Sequence, residues 1–427
     1  MSDVILDVGS EPDFAPPPDE GPRVRSGTST WIRRNLFRSP FDGVLTLVFG
    51  AIAAWVLYKT LSFVFVTGRW EIIRVNLQLL MIGRYPDAHV LRLAVAVVVL
   101  AAWAGLIAGI VHGRRIRQGA SPARPSVRAK VRDLFGRFGI AALVLLYLLV
   151  LAGTAGPWVT VGAAIAAAMV GRVAGGYIGR VRVAPLASVL LVVVLATVPL
   201  AVYVYIVTAV GFDEWGGFLL NLFLAVCSII LCFPLGVLLA LGRRSGLPLV
   251  RWMCTMYIEI IRGAPLYVLL LLANVALGFF VPSNLAPSTA TRAIVVFTLF
   301  TAAYMAEIVR GGLQSVPRGQ FEAAKALGLS PARQTAYVVL PQALRNVIPA
   351  QIGQLISLFK DTSLAGLAMA LFELLTVADA ITAQEAFQGQ GLSGETITFA
   401  ALMFWVVAFT MSRESQRLER RLGVGIR

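Results

Sequence analysis

Long apolar runs constrain this chain more than any other feature of its sequence. A helix needs roughly 20 apolar residues to cross a hydrocarbon core. With 58% hydrophobic and only 14% charged residues, the chain is too apolar for an ordinary soluble domain. The sequence therefore predicts an all-α, polytopic transmembrane helical bundle of about ten spans. The stretches that approach or exceed the required length are 43–66, 91–111, 138–153, 157–171, 186–210, 217–241, 264–282, 292–309, 347–370 and 396–411.

Two of these stretches leave the span count open. The third and fourth, 138–153 and 157–171, are short and are joined only by the sequence GTAGP. Each could cross the membrane, the two could form a re-entrant hairpin, or one could span while the other lies on the surface. The prediction is therefore a range of eight to ten spans.

Positive charge predicts the orientation of the bundle. The formal net charge of +15 is mostly arginine between apolar runs, a pattern that is typical of membrane orientation rather than of a nucleic-acid-binding face. The stretch 361–412 contains no lysine or arginine. Ten spans would place all the arginine-rich segments on one side, so both termini are predicted to be cytoplasmic. These segments are the N-terminal tail, 112–137, 172–185, 242–263, 310–346 and the residues after Ser412.

The first 38 residues differ from the rest in composition. Up to about residue 30 they are polar and rich in proline, which predicts a disordered cytoplasmic tail without a signal peptide. Arg33, Arg34 and Arg38 then form a basic lead into the first span. The predicted organisation is a tail with its lead at 1–38, appended spans at 39–210, and a core at 211–427.

The longest polar interruption of the apolar second half runs from 310 to 341. Ser315 and Pro317 can begin a short helix, and Gly328 can end it. Ser330 and Pro331 can begin a second short helix. Two polar helices joined at a glycine give a hydrophobic chain no packing advantage, so the pattern indicates an element that a partner outside the membrane receives.

The spacing within this interruption resembles the EAA loop of ABC importer permeases. The motif is a glutamate and two alanines, then a glycine, then apolar residues ending in proline: Glu322, Ala323, Ala324, Gly328, Val338, Leu340 and Pro341. Val338 stands where the family most often has isoleucine. The flanks AYMAEIVRGGLQSVPRGQ and LPQALRNVIPAQIGQLISLFKDTSL, with IEIIRGAPL upstream, are similar to permeases of the polar amino-acid uptake family. The whole chain is similar to a general L-amino-acid transporter permease subunit, most densely after Trp215.

The resemblance implies a function and a set of partners. The last five spans would form the permease core of a type I ABC importer in a bacterial inner membrane. The coupling loop, 310–346, would dock on a cytoplasmic ABC ATPase dimer. A second, homologous permease and a periplasmic amino-acid-binding protein would complete the assembly, which takes membrane lipid but no nucleic acid as a partner. The residues to which the resemblance gives the coupling role are Glu322, Ala323, Ala324, Gly328, Leu340 and Pro341.

The sequence offers little for chemistry within the chain itself. No GxxxxGK[ST] phosphate loop occurs, so ATP and Mg would be bound by the partner ATPase, and no cofactor is expected here. His89 and His112 lie apart, which gives no metal or nucleophile constellation. The chain is therefore predicted not to be an enzyme.

Ionisable and hydroxyl residues inside apolar runs are the candidates for a substrate path. Lys360 and Asp361, followed by Thr362 and Ser363, offer both charges and hydroxyls, which suits the ammonium and carboxylate of an amino acid. Thr362 and Ser363 could instead cap or break the helix. Asn274 and Glu307 are weaker candidates, since each could hydrogen-bond to a neighbouring helix as structural glue.

Two glycine series lie in the predicted appendage. Gly105, Gly109 and Gly113, and again Gly171, Gly175 and Gly179, repeat every four residues and predict close helix packing, which could be against a second permease.

Other classes of function remain open alternatives. An ion-gradient-driven secondary transporter of small polar solutes would predict two related halves and no docking loop. An intramembrane enzyme would need clustered catalytic groups, and a channel would need no ATPase. The sequence does not tell which amino acids would cross.

Overall fold

The computed structural model describes residue 32 and the ranges 35–119, 127–181, 185–276, 281–282 and 286–422. Every regular element in these ranges is helical, and an isolated β-bridge joins Gly217 to Glu373. The all-α prediction is confirmed for this part of the chain. The predicted tail at 1–30 lies outside the described residues.

The chain divides into two compact units, with the boundary after Gly68. The first unit contains helix α1, Pro40–Ser62, which continues into a wider π-helical turn, Phe63–Thr67. The Ser39 hydroxyl caps α1 by accepting a hydrogen bond from the Asp42 amide at 3.1 Å. Most of its large apolar side chains are exposed within the unit, which suits a helix that lipid surrounds.

The second unit holds the remaining helices, beginning with two short ones. In chain order these are α2 (Glu71–Val75), α3 (Leu77–Ile82), α4 (Val90–Arg117), α5 (Val127–Ala152), α6 (Ala155–Arg180), α7 (Pro185–Val207), α8 (Gly217–Arg243), α9 (Pro248–Gly263), α10 (Leu266–Val275), α11 (Thr289–Ser315), α12 (Arg318–Ala326), α13 (Pro331–Gln334), α14 (Leu340–Asn346), α15 (Ile348–Asp361), α16 (Leu364–Met369), α17 (Leu374–Ala380) and α18 (Ser393–Leu422). We call the segment from Val316 to Val347, which contains α12 to α14, the elbow.

Six helices in the described residues are long and apolar enough to cross a membrane. The pair α9 and α10, bent by 101° at a short break, makes a seventh if it is counted as one span. This is fewer than the ten stretches predicted, partly because some of those stretches are interrupted. The run 347–370 is two helices: the hydroxyls of Thr362 and Ser363 donate to the carbonyls of Phe359 (2.7 Å) and Lys360 (2.9 Å) where α15 ends.

Helix α8 gives the second unit its long axis. Its 27 residues extend for about 40 Å at the usual helical rise. It begins at Gly217, beside Glu373, and ends at Arg243. The next residue, Arg244, donates to the carbonyl of Leu313 (3.5 Å), shortly before the elbow. We call the end at Gly217 the far end and the end at Arg243 the elbow end.

The two glycine series pack against each other, α4 against α6. A Cβ added at Gly105 or Gly109 would overlap the backbone of Ala168 or Arg172, and one added at Gly113 would lie 2.5 Å from the carbonyl oxygen of Gly176. The glycines of α6 meet the α4 backbone in the same way. The close-packing prediction is confirmed, but the surface is covered within this chain and not by a second permease.

Candidate functional site: the elbow and the groups beneath it

The elbow turns at Gly328, which has a φ of +74°. At the end of α12 the Gly328 amide donates to Lys325 (2.9 Å) and the Leu329 amide donates to Ala324 (3.2 Å). This pair of bonds is a Schellman motif, which requires a left-handed residue at the position of Gly328. A side chain at Gly328 would meet no atom within 4 Å, so the turn needs glycine for its backbone and not for space.

One side of the elbow is packed against the bundle. Ala324, Val339 and Ala343 are buried. Gly312, in the last turns of α11, allows close approach, since a Cβ there would lie 2.6 Å from the Ala343 carbonyl oxygen. The Asn346 amide adds a hydrogen bond to the Ser315 hydroxyl at 3.0 Å. The elbow is therefore packed and hydrogen-bonded against the end of α11.

The other side of the elbow is open. Glu322, Ala323, Gly328 and Pro341 of the predicted motif are exposed, whereas Leu340 is partly buried. Leu327 and Tyr337 are large apolar residues that are 81% and 73% exposed. Exposed apolar groups on a polar segment are unusual and mark surfaces that partners cover. Three basic residues accompany them at the surface: Arg318, Lys325 and Arg333.

An ion cluster lies in the bundle next to the elbow. The Glu307 carboxylate on α11 accepts hydrogen bonds from Arg310 (2.7 and 3.0 Å) and from Arg243 on α8. Arg262, near the end of α9, lies 3.7 Å from the same carboxylate. Arg243 also pairs with Glu259 at 2.8 Å. The cluster joins three helices at the elbow end, and Glu307 is its central acid. A place for Glu307 in the substrate path stays a prediction.

The other predicted path residues lie elsewhere. Lys360 is exposed and Asp361 is partly buried, where α15 ends. Thr362 is buried and accepts a hydrogen bond from Asn221 at 3.1 Å. The Asn274 amide donates to the Ala368 carbonyl at 3.4 Å. The structure therefore places Asn274 beside the helix that follows the 360–363 group, while Glu307 lies at the elbow end.

A buried polar cluster at the far end was not predicted from the sequence. The Glu373 carboxylate accepts hydrogen bonds from Asn221 (3.1 Å), from the amides of Leu375 and Thr376 (2.9 Å each) and from the Thr376 hydroxyl (3.0 Å). Asn221 in turn accepts from the Leu374 amide at 3.0 Å. Asn221 stands in an otherwise apolar run, and that is the signal that could have identified it.

These features define a polytopic helical membrane protein with an exposed, polar segment at one end. The glutamate/glutamine/aspartate/asparagine transport system permease protein BztC of Rhodobacter capsulatus is 32% identical over 445 residues, covering 95% of this chain and 96% of that protein. The family of binding-protein-dependent transport system inner membrane components matches this chain over residues 232–424. The chain belongs to this family of inner-membrane transport components, which confirms the resemblance found in the sequence.

Shorter alignments cover the second half of the chain. The inner membrane amino-acid ABC transporter permease protein YhdY of Escherichia coli K12 is 44% identical over 212 residues, which are 50% of this chain and 57% of that protein. The probable glutamine ABC transporter permease protein GlnP of Bacillus subtilis is 36% identical over 48% of this chain and 92% of that protein. The solved structure of an amino acid ABC transporter with histidines is 30% identical in sequence to this chain and superposes with a TM-score of 0.43. The match covers 48% of this chain and 92% of that one.

Proposed function

We propose that this chain is the permease subunit of an ATP-driven amino-acid importer and that the elbow couples it to a separate ATPase. The observation that carries the proposal is the elbow itself: most of its motif residues (Glu322, Ala323, Gly328 and Pro341) are exposed on one side, and its other side is packed on α11. The relatives support the substrate class, since BztC, YhdY and GlnP are all named for amino-acid transport.

Coupling follows from how the elbow is held. Helix α12 enters a groove of the ATPase subunit, with Leu327 and Tyr337 as apolar anchors around Glu322 and Ala323. Closure of the ATPase dimer then moves the elbow, and the close contact of Ala343 with Gly312 passes that movement to α11. The Glu307 cluster makes α8 and α9 follow α11 as one body. ATP and Mg are bound by the ATPase and not by this chain.

The orientation in the membrane rests on the charge pattern. The elbow end faces the cytoplasm and the far end faces outward, because the elbow carries arginine and lysine whereas 361–412 carries neither. Both termini are cytoplasmic, with ten crossings in which the shorter and bent helices also take part. The core is 211–427 and the appended spans are 39–210.

The amino acid passes between this chain and a second, homologous permease. Lys360 and Asp361, with Thr362 and Ser363 next to them, stand where α15 breaks, and Asn274 lies on α10 beside the following helix. A broken helix that presents both charges suits a zwitterion. A periplasmic binding protein delivers the amino acid and sets which one is taken up.

The test is uptake of radiolabelled amino acids into proteoliposomes that contain this chain with its partner permease, ATPase and binding protein. Glu322→Lys and Gly328→Asp should reduce ATP-dependent uptake at least about tenfold, since each disrupts the docking surface of the elbow. Gly246→Asp places the same charge at an open position outside the elbow, between α8 and α9, and should have little effect.

Two results would overturn the proposal. Uptake that proceeds without any ATPase would favour the secondary transporter. Undiminished uptake by both motif variants, in complexes that assemble normally, would make the elbow an ordinary loop.

A further inference from the structure

The segment between the first two predicted spans is built into the far end of the core. The side chains of Ile72 and Ile73 on α2 and of Leu80 on α3 are fully buried. These side chains share an apolar cluster with Phe218 of α8 and Phe399 of α18. The appended part of the chain therefore supplies a piece of the core itself. We call residues Arg69–Tyr85 the far-end insert.

Hydrogen bonds join the insert to residues 384–395, which include the first residues of α18. The Arg69 amide donates to the Glu395 carboxylate at 3.0 Å, and its guanidinium donates to the Gln390 side chain at 3.2 Å. The side-chain amide of Gln384 donates to the side-chain oxygen of Asn76 at 2.8 Å. The insert and residues 384–395 thus form one continuous surface at the far end.

Backbone contact fixes the end of the insert on the start of α8. Gly83 has a φ of +68°, and a Cβ at Gly216 would lie 2.9 Å from its Cα. The Tyr85 ring meets the Trp215 ring edge-on at a centroid distance of 6.1 Å, and the Arg84 guanidinium lies 4.5 Å from the centre of the Phe372 ring. Contacts this close leave the insert no freedom to move independently of the core.

The outward side of the insert is charged and unoccupied. Arg74 is exposed and its side chain makes no hydrogen bond or ion pair to another described residue, and Val75 beside it is 65% exposed. Residues 384–395 beside the insert carry Glu385 and Glu395 and no basic residue. Arg74 and the exposed Arg84 of the insert therefore place positive charge next to that acidic stretch. The family match covers only residues 232–424 and therefore does not include the insert. The alignment with BztC, in contrast, covers 95% of this chain.

We infer that the far-end insert is part of the surface on which the binding protein docks, and that Arg74 meets an acidic group of that protein. The inference rests on the proposed function, which places the far end outside the membrane. The family is binding-protein-dependent, so such a protein has to reach the far end, and it meets the rigid surface of the insert and 384–395 there. Charges at the rim of an interface mainly change the rate of association and how strongly that rate depends on salt concentration.

The first experiment measures ATP hydrolysis by the complete complex in nanodiscs against the concentration of loaded binding protein. The probe is the amino-acid-binding protein that supports uptake by the wild-type complex. Arg74→Glu should raise the half-maximal concentration about three- to tenfold at low salt, with less effect at high salt and an unchanged maximal rate. The control, Arg115→Glu, reverses an equally exposed charge near the opposite end of α4 and should match wild type.

A second experiment tests contact directly. Val75→p-benzoyl-phenylalanine should cross-link to the added binding protein on irradiation, whereas Leu327→p-benzoyl-phenylalanine on the elbow should not. If Arg74→Glu matches wild type and Val75 gives no cross-link while the wild-type complex is stimulated, the inference is wrong and the proposed function stands. If no binding protein stimulates the wild-type complex, the proposed function fails and the inference fails with it.

Discussion

The carboxylate of Glu307 on α11 is bound to the guanidinium of Arg243 on α8, two residues that are 64 positions apart in the chain. Glu307 is only 15% exposed, and Arg243, Arg262 and Arg310 all lie around it. Loss of that single negative charge would leave three neighbouring cations that repel one another. The acid therefore helps to hold α8, α9 and α11 together at the elbow end, next to the apolar contacts of Ala240, Ile258 and Met305.

We expect Glu307→Gln to destabilise the protein by about 1–3 kcal/mol, because it removes the charge that neutralises a largely buried cluster. The readout is the midpoint of thermal unfolding in detergent, followed by size-exclusion chromatography. Glu259→Gln is the matched control. Glu259 binds the same Arg243 but is 56% exposed, so its loss should cost less than about 1 kcal/mol. Equal shifts for the two variants would contradict a special role for Glu307.

Two adjacent glycines of α6 provide a test of the α4–α6 packing. A Cβ at Gly175 would overlap the Leu106 carbonyl, whereas a Cβ at Gly176 would meet nothing within 4 Å. Gly175→Ala should therefore destabilise the protein by about 1–3 kcal/mol through overpacking. Gly176→Ala should be neutral or stabilising by up to about 1 kcal/mol, since alanine favours helix. Thermal unfolding of both variants checks this, and a destabilised Gly176→Ala with a normal Gly175→Ala would reject the described interface.

The conformation of Gly328 leads to a graded prediction. At a φ of +74° a β-branched residue is strongly disfavoured, whereas asparagine tolerates the left-handed region. ATP-driven uptake should therefore follow the order glycine, Gly328→Asn, Gly328→Val, with the valine variant impaired at least severalfold. Both side chains have open space, so insertion into the membrane should be unaffected. Equal uptake by the two variants would show that the left-handed turn is not needed.

The buried Asn221 should be intolerant of apolar replacement. Asn221→Leu removes a donor to Glu373 and an acceptor for the Leu374 amide, both of them buried. Unsatisfied buried groups cost about 1–3 kcal/mol each, so the unfolding midpoint should fall markedly. Ser228→Ala, on the same helix, removes only one long hydrogen bond of 3.4 Å and should have a much smaller effect. A similar, small loss for both variants would argue against the far-end polar cluster as a stabilising unit.

Sequence reasoning succeeded where the information is local. Apolar runs predict helices, and Gly328 marks a turn, because each depends on neighbouring residues alone. A break at Thr362 and Ser363 was one of the two readings that the sequence left open, and α15 does end there. The hydrogen bond from Asn221 to Thr362 escaped prediction, since the two residues lie 141 positions apart. The far-end insert escaped for the same reason: Ile72 and Leu80 form only a short apolar pattern until the core closes around them. The partners of Glu307 could not be read from its own surroundings either, apart from Arg310.

The 101° bend between α9 and α10 has a mechanical consequence. Helix α9 contains 16 residues, so it is a rigid arm about 24 Å long that lies across the direction of α10. Its anchored end carries Arg262 in the Glu307 cluster, and Trp252 is exposed along its length. Rocking such an arm by about 10° displaces its tip by about 4 Å, nearly one helical turn. Because α9 lies at an angle of 101° to α10, rocking of α9 would swing α10 about the corner between them.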